Sequence, residues 1–172
     1  WPGLIIPEQY GGIGGSFMDI VALVEEMGRA SFFGPLFPSL IGTLAILEMG
    51  SDQQKADLLP KIASGELVLT MAVSELGVGF ELDAIQSQAT AEGTEWVIDG
   101  TKLFVENAHV ANLVLVVAKT RHGTKQEGID IFLVDAKNPN VAISTLESIS
   151  GEKHSKVTVQ GLKVPESRRL GE

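Results

Sequence analysis

Ala63-Ser64-Gly65-Glu66-Leu67-Val68-Leu69-Thr70-Met71-Ala72-Val73 is the stretch at which the period of the chain changes. Before Gly65, apolar residues recur at helical spacing. From Leu67 onward they come in short runs rich in Val, Ile and Thr, bounded by turn residues. Gly65 ends the last helical segment, and residues 67–73 read as the first strand. The switch divides the chain into a helical part, residues 1–65, and a strand-rich part, residues 66–172.

Working back from Gly65, residues 51–64 open on the capping box Ser51-Asp52-Gln53-Gln54 and carry Ala56, Leu58, Leu59 and Ile62 on one side. Pro60 is expected to kink or split this helix. A second helix covers residues 38–49 and stops at Gly50. A third, over residues 16–27, aligns Phe17, Ile20, Val21, Val24 and Met27, with Ser16 as N-cap, Asp19 as its box partner and Gly28 closing it. So small a helical part must bury its stripes on the strands, on another subunit or on a segment beyond this chain.

Working forward, strands are predicted at residues 67–73, 85–91, 95–98, 102–105, 113–119, 129–134, 141–146 and 156–160. Turn signals separate them, among them Glu92-Gly93, Asp99-Gly100, Asn138-Pro139-Asn140 and Gln160-Gly161. Short strands with no helical pattern between them predict an antiparallel barrel or sandwich. Helices before and strands after make the fold class α+β, in segregated domains.

Composition narrows the function classes. The 172 residues are 44% hydrophobic and 20% charged, the balance of a globular domain. The longest apolar run, residues 112–118, is strand-sized and far short of the roughly 18 residues that span a bilayer. Trp1-Pro2-Gly3 has neither the basic nor the apolar region of a signal peptide, so a cytoplasmic location is expected, and the absent initiator Met points to a truncated or processed start. With 13 Lys and Arg against 22 Asp and Glu, the net charge of −9 argues against nucleic acid as a partner. Zero Cys removes disulfides, thiolate metal sites and cysteine nucleophiles together. His109, His122 and His154 share no metal-ligand spacing.

Two stretches invite a functional reading. Tyr10-Gly11-Gly12-Ile13-Gly14-Gly15 precedes a helix, as phosphate-binding loops do. Its spacing is not G-x-G-x-x-G and no Lys follows, so a tight turn that aims the helix is the better account. Ser74-Glu75-Leu76-Gly77-Val78-Gly79-Phe80-Glu81 follows a strong strand and is too apolar for an ordinary surface loop. Loops on strand scaffolds often carry binding residues. Glu75, Glu81 and Asp83 allow a metal or carboxylate pair, although acids at a loop tip are usually solvated. No Ser-His-Asp arrangement or nucleophile elbow is present.

Seven segments in chain order resemble the acyl-CoA dehydrogenase family: Trp1-Pro2-Gly3-Leu4 with Pro7-Glu8-Gln9-Tyr10-Gly11-Gly12; Val24-Glu25-Glu26-Met27-Gly28-Arg29; Gly50-Ser51 to Pro60 with Ala63-Ser64-Gly65-Glu66; Ala72-Val73-Ser74-Glu75; Trp96-Val97-Ile98-Asp99-Gly100-Thr101-Lys102; Phe104-Val105-Glu106-Asn107-Ala108; and Leu162-Lys163-Val164-Pro165. The resemblance implies an N-terminal α-helical segment followed by an antiparallel β-barrel domain, with a C-terminal helical bundle absent from this chain. It also implies FAD as cofactor and dehydrogenation of an acyl-CoA thioester, with electrons passed to an electron-transfer acceptor protein. A homo- or hetero-oligomer is expected, and the alternative function is a non-catalytic partner subunit in a hetero-oligomer. The family's base lies beyond this chain in most members, so no catalytic residue is assigned, and the chain alone is expected to be inactive.

By position, the resemblance places Met71, Val73 and Ser74 along the flavin, Phe104 against its ring, and Val105 and Glu106 at the end of that wall. Phe80 falls at the family's ligand-contacting Ser in the loop T-E-P-x-A-G-S-D. Leu76 replaces the Pro there, Glu81 replaces the Asp, and Glu106 stands where a small hydroxyl residue is usual. Such departures are similar to those of members acting on bulky acyl-CoAs such as steroid side chains.

Overall fold

The computed structural model describes residues 1–77, 81, 84–122 and 125–171. Three helices come first: α1 (Phe17–Arg29), α2 (Leu36–Met49) and α3 (Asp52–Ala63). The Asp19 carboxylate accepts from Ser16 N–H and Oγ at 2.7 Å each. Ser51 and Gln54 form the reciprocal box at the start of α3, at 2.9 and 3.2 Å. Pro60 does not divide α3: it lies in the last turn, where its missing N–H removes one bond and nothing beyond depends on it.

The strands are β1 (Leu69–Ala72), β2 (Gln88–Glu92), β3 (Glu95–Glu106), β4 (Leu113–His122), β5 (Lys125–Asp135), β6 (Val141–Leu146), β7 (His154–Pro165) and β8 (Arg169–Leu170). They form one sheet in the order β6-β7-β3-β2-β4-β5-β8, with β1 paired to β4. The expected antiparallel barrel is corrected on two points. β1 and β2 both run parallel to β4, end to end along one of its edges. Among the described residues β6 and β8 do not pair with each other, so the sheet stays open. Side-chain alternation predicts strands but carries no direction. Direction is set where the chain leaves β3 through the turn Ala108–Val110 and re-enters beside the start of β1, with Asn112 N–H on Val68 C=O at 2.8 Å.

Two of the expected turns are not turns. Asp99-Gly100 lies inside β3 and Gln160-Gly161 inside β7, and together they form one bulge between the two strands. Gly161 takes φ +55°, and its N–H donates to Asp99 Oδ1 at 2.8 Å.

β4 is buried on both faces. Val114, Val116 and Ala118 join Trp96, Ile98, Phe132 and Val157 in one core; Leu113 and Leu115 join Ile46, Leu59, Ile62 and Leu133 in the other, under α2 and α3. This is why its sequence is a continuous apolar run. Of the α1 stripe only Ile20 is buried, while Phe17 and Val21 stay exposed, as does Met18 outside the stripe. No helix among the described residues is long and apolar enough to cross a membrane.

Candidate functional site

β1 pairs only with β4 among the described strands, which leaves its second edge without a ladder. N–H and C=O groups alternate between the edges of a strand, and Leu69 marks the open one: its N–H and C=O both engage Ser39 Oγ of α2, at 3.1 Å. Met71 and Val73 follow on the same edge. The Val73 C=O accepts from Lys102 Nζ at 3.1 Å, and the next carbonyl, of Ser74, accepts from Leu103 N–H at 2.8 Å. Between these anchors the edge is open at Met71 and at the Val73 N–H.

A second bulge in β3 builds the facing wall. Lys102 stands opposite Val157 and Val105 opposite Ser155, so Leu103 and Phe104 together face Lys156 alone. Phe104 takes φ +56°, a left-handed conformation that is strained for a bulky side chain, and its ring is 64% exposed. The bulge turns that ring out of the sheet. His154 backs it edge-on, with centroids 6.3 Å apart at 81°.

Strand edge and bulge meet in a cavity of about 240 Å³ that brings together Met71, Val73, Ser74, Phe104 and Glu106. Phe37, Pro38 and Ile41 of α2 complete it. These three carried no motif; the signal for them was the apolar helix itself, whose docking on β1 only the fold reveals. Val105 turns its side chain into the core instead. Phe80 lies outside the described residues. Glu106 is exposed, and its C=O accepts from Thr70 Oγ1 at 2.6 Å, which ties the end of β3 to β1. An adjoining cavity of about 290 Å³ shares Glu106 and Phe37 and adds Phe32 and Phe33.

Glu75 departs from the expectation of a solvated loop acid. Its Oε1 accepts from Lys102 Nζ at 2.6 Å, from Ser87 Oγ at 2.5 Å and from Ser87 N–H at 3.0 Å, while Oε2 takes Gln86 N–H at 2.6 Å. Burial pushes its carboxyl up, but Lys102, Ser87 and Gln86 outweigh it and hold the group below its ordinary value of 4.5. Burial lowers the Lys102 ammonium from 10.5, against the opposing pull of Glu75. Lys102 shares the inward parity of Trp96 and Ile98, the one sign in the sequence that it would be buried.

An open strand edge facing an aromatic ring suits a flat heteroaromatic group whose rim carries carbonyl and N–H groups, and the isoalloxazine of FAD has that form. Residues 1–66 match the family model for the acyl-CoA dehydrogenase N-terminal domain, and residues 70–162 that for the acyl-CoA dehydrogenase middle domain. The chain belongs to the acyl-CoA dehydrogenase family. It is 32% identical over 177 residues to the 3-(aryl)acrylate reductase of Clostridium sporogenes, across 99% of this chain and 47% of that protein. It is similar to the solved Tcur3481-Tcur3483 steroid ACAD, with a TM-score of 0.88 at 29% identity, over 100% of this chain and 45% of that one. A glutaryl-CoA dehydrogenase from Mycobacterium smegmatis in complex with FADH2 matches with a TM-score of 0.69 at 25% identity, over 76% of this chain and 33% of that one. The chain thus spans about half the length of the curated relatives it matches.

Proposed function

We propose that the intact protein is an FAD-dependent oxidoreductase acting on the α,β-bond of an acyl-CoA thioester, and that the 240 Å³ cavity is the part of the flavin site built by this chain. The observation that carries this reading is the meeting of the open β1 edge and Phe104 in one cavity. Met71 and Val73 would hold the rim of the ring through backbone groups, Ser74 through its hydroxyl, and Phe104 would lie against its face. When bound, FAD supplies the hydride-accepting chemistry. The residues of this chain bind and orient it, and hydrogen-bond donors along β1 favour negative charge on the rim. Phe37 and Ile41, half-exposed beside that wall, offer apolar surface to the acyl part and exclude water from it. Transfer of the electrons to an acceptor protein and an oligomeric assembly belong to the same reading; the two names joined in the Tcur3481-Tcur3483 steroid ACAD favour the latter.

The test is purification of the intact protein. It should carry flavin absorbance, and Phe104→Ala should lose most of it while keeping the fold. A colourless wild-type protein that takes up no added FAD would sink the proposal.

A further inference from the structure

We infer that Lys102 is a positioning residue for the ring-binding wall: by taking the Val73 carbonyl out of the cavity, it removes one acceptor from the β1 edge and leaves the Val73 N–H there to donate. The inference rests on the flavin reading above and gives that site a determinant that makes no contact with the ring.

Lys102 is 1% exposed, at a sheet position where Leu or Met would avoid the desolvation of a cation. Its ammonium makes two bonds, to Val73 C=O at 3.1 Å and to Glu75 Oε1 at 2.6 Å. Glu75 cannot drift with it, because Gln86 N–H, Ser87 N–H and Ser87 Oγ hold the carboxylate from the other side. The ammonium is therefore fixed at the exit of β1. Val73 and Ser74 both turn their carbonyls toward β3, the first to Lys102 and the second to Leu103 N–H.

Two consequences follow for a ring on that edge. With the Val73 carbonyl withdrawn to Lys102, its N–H faces the cavity with one acceptor fewer beside it to repel the ring's carbonyl oxygens, the Met71 carbonyl being the one left on that edge. The ion pair also points its positive end at β1 and its negative end at Gln86 and Ser87, so its field favours electron density on the rim. Both effects stabilise the reduced ring more than the oxidised one. Lys102 is also the last paired residue before the bulge that carries Phe104, so it stands next to both walls.

The experiment removes both charges while keeping shape, in Lys102→Met/Glu75→Gln. In the intact protein we expect FAD to bind at least tenfold more weakly. The bound flavin should favour its oxidised form at least tenfold more, a fall of about 30 mV for a two-electron couple. Lys102→Arg, which keeps a donor to both partners, should restore both quantities. A folded double variant with unchanged affinity and potential overturns the inference. Should that variant not fold, Lys102→Leu/Glu75→Gln, which also removes both charges, takes its place and is read by the same two outcomes. Should the wild type take up no FAD, the flavin reading falls, and amide hydrogen exchange at Leu103, whose N–H donates to the Ser74 carbonyl beside Val73, decides the positioning role. Exchange at least tenfold faster in the double variant and restored in Lys102→Arg supports it; unchanged exchange overturns it.

Discussion

Lys102 Nζ lies 2.6 Å from Glu75 Oε1, with 1% and 5% of the two side chains exposed. The pair links the middle of β3 to the segment that follows β1, and each partner has further bonds that the other cannot replace. Breaking it from one side leaves a buried charge, whereas removing both charges leaves only polar groups with partners nearby.

Stability should reflect that asymmetry. Lys102→Met is expected to destabilise the fold by about 3–5 kcal/mol, and Lys102→Met/Glu75→Gln to recover most of the loss. Urea unfolding with matched slopes measures both. A single variant within about 1 kcal/mol of wild type would mean that water reaches Glu75.

The same carboxylate sets an acid limit. Its folded value is lower than the ordinary 4.5, so the unfolded chain binds the proton more tightly. The stability it contributes is fully present above pH 4.5 and lost as the pH falls through the lower folded value. Unfolding followed through that window should show a shallower acid loss in Glu75→Gln than in wild type. Parallel curves would assign the acid sensitivity to other groups.

In the proposed flavin site, Phe104 sets stability against binding. Its left-handed backbone costs about 1 kcal/mol or more, and its ring is largely exposed. Phe104→Gly should therefore raise stability by about 0.5–1 kcal/mol while weakening FAD binding in the intact protein at least tenfold. Lower stability together with undiminished flavin binding would place the ring of Phe104 outside the site.

Glu106 brings a carboxylate to the same cavity, and Lys102, the nearest Lys or Arg in sequence, is taken by Glu75. A negative charge beside the ring opposes its reduction. Glu106→Thr is expected to tighten FAD binding and raise the flavin potential with the fold unchanged. If both quantities match wild type, Glu106 does not face the flavin and this strand end leaves the site.

Gly100 tests the support behind the pair. A Cβ there would stand 2.1 Å from Ser87 Oγ and 2.5 Å from Ser87 Cβ, so Ser87, which holds Glu75, would have to move. Gly100→Ala should cost about 1–3 kcal/mol, and Ser87→Gly in the same chain should return part of it. A neutral Gly100→Ala would mean that β2 and β3 part more easily than their register implies.

By itself, the sequence determined the helices, the change of period at Gly65 and most of the strands, because capping boxes and side-chain alternation are local signals. Ser51 and Gln54 announce α3 whatever it packs on, and the run at 113–118 announces a strand, whose burial on both faces the structure then shows. Ser74 stood out in its loop from the sequence alone, Met71, Val73, Phe104 and Glu106 were singled out only through the resemblance to the family, and Phe37, Pro38 and Ile41 by neither, since nothing in their spacing joins them. Tertiary structure decided the rest. The parallel course of β1 and β2 beside β4 depends on where the chain re-enters the sheet. The positive φ of Phe104 depends on a bulge that exists only against β7. Glu75 and Lys102 stand 27 positions apart, and composition alone reads both as solvated charges. They become a buried pair because β1 and β3 bring them together, and desolvation then makes each the only partner that can hold the other.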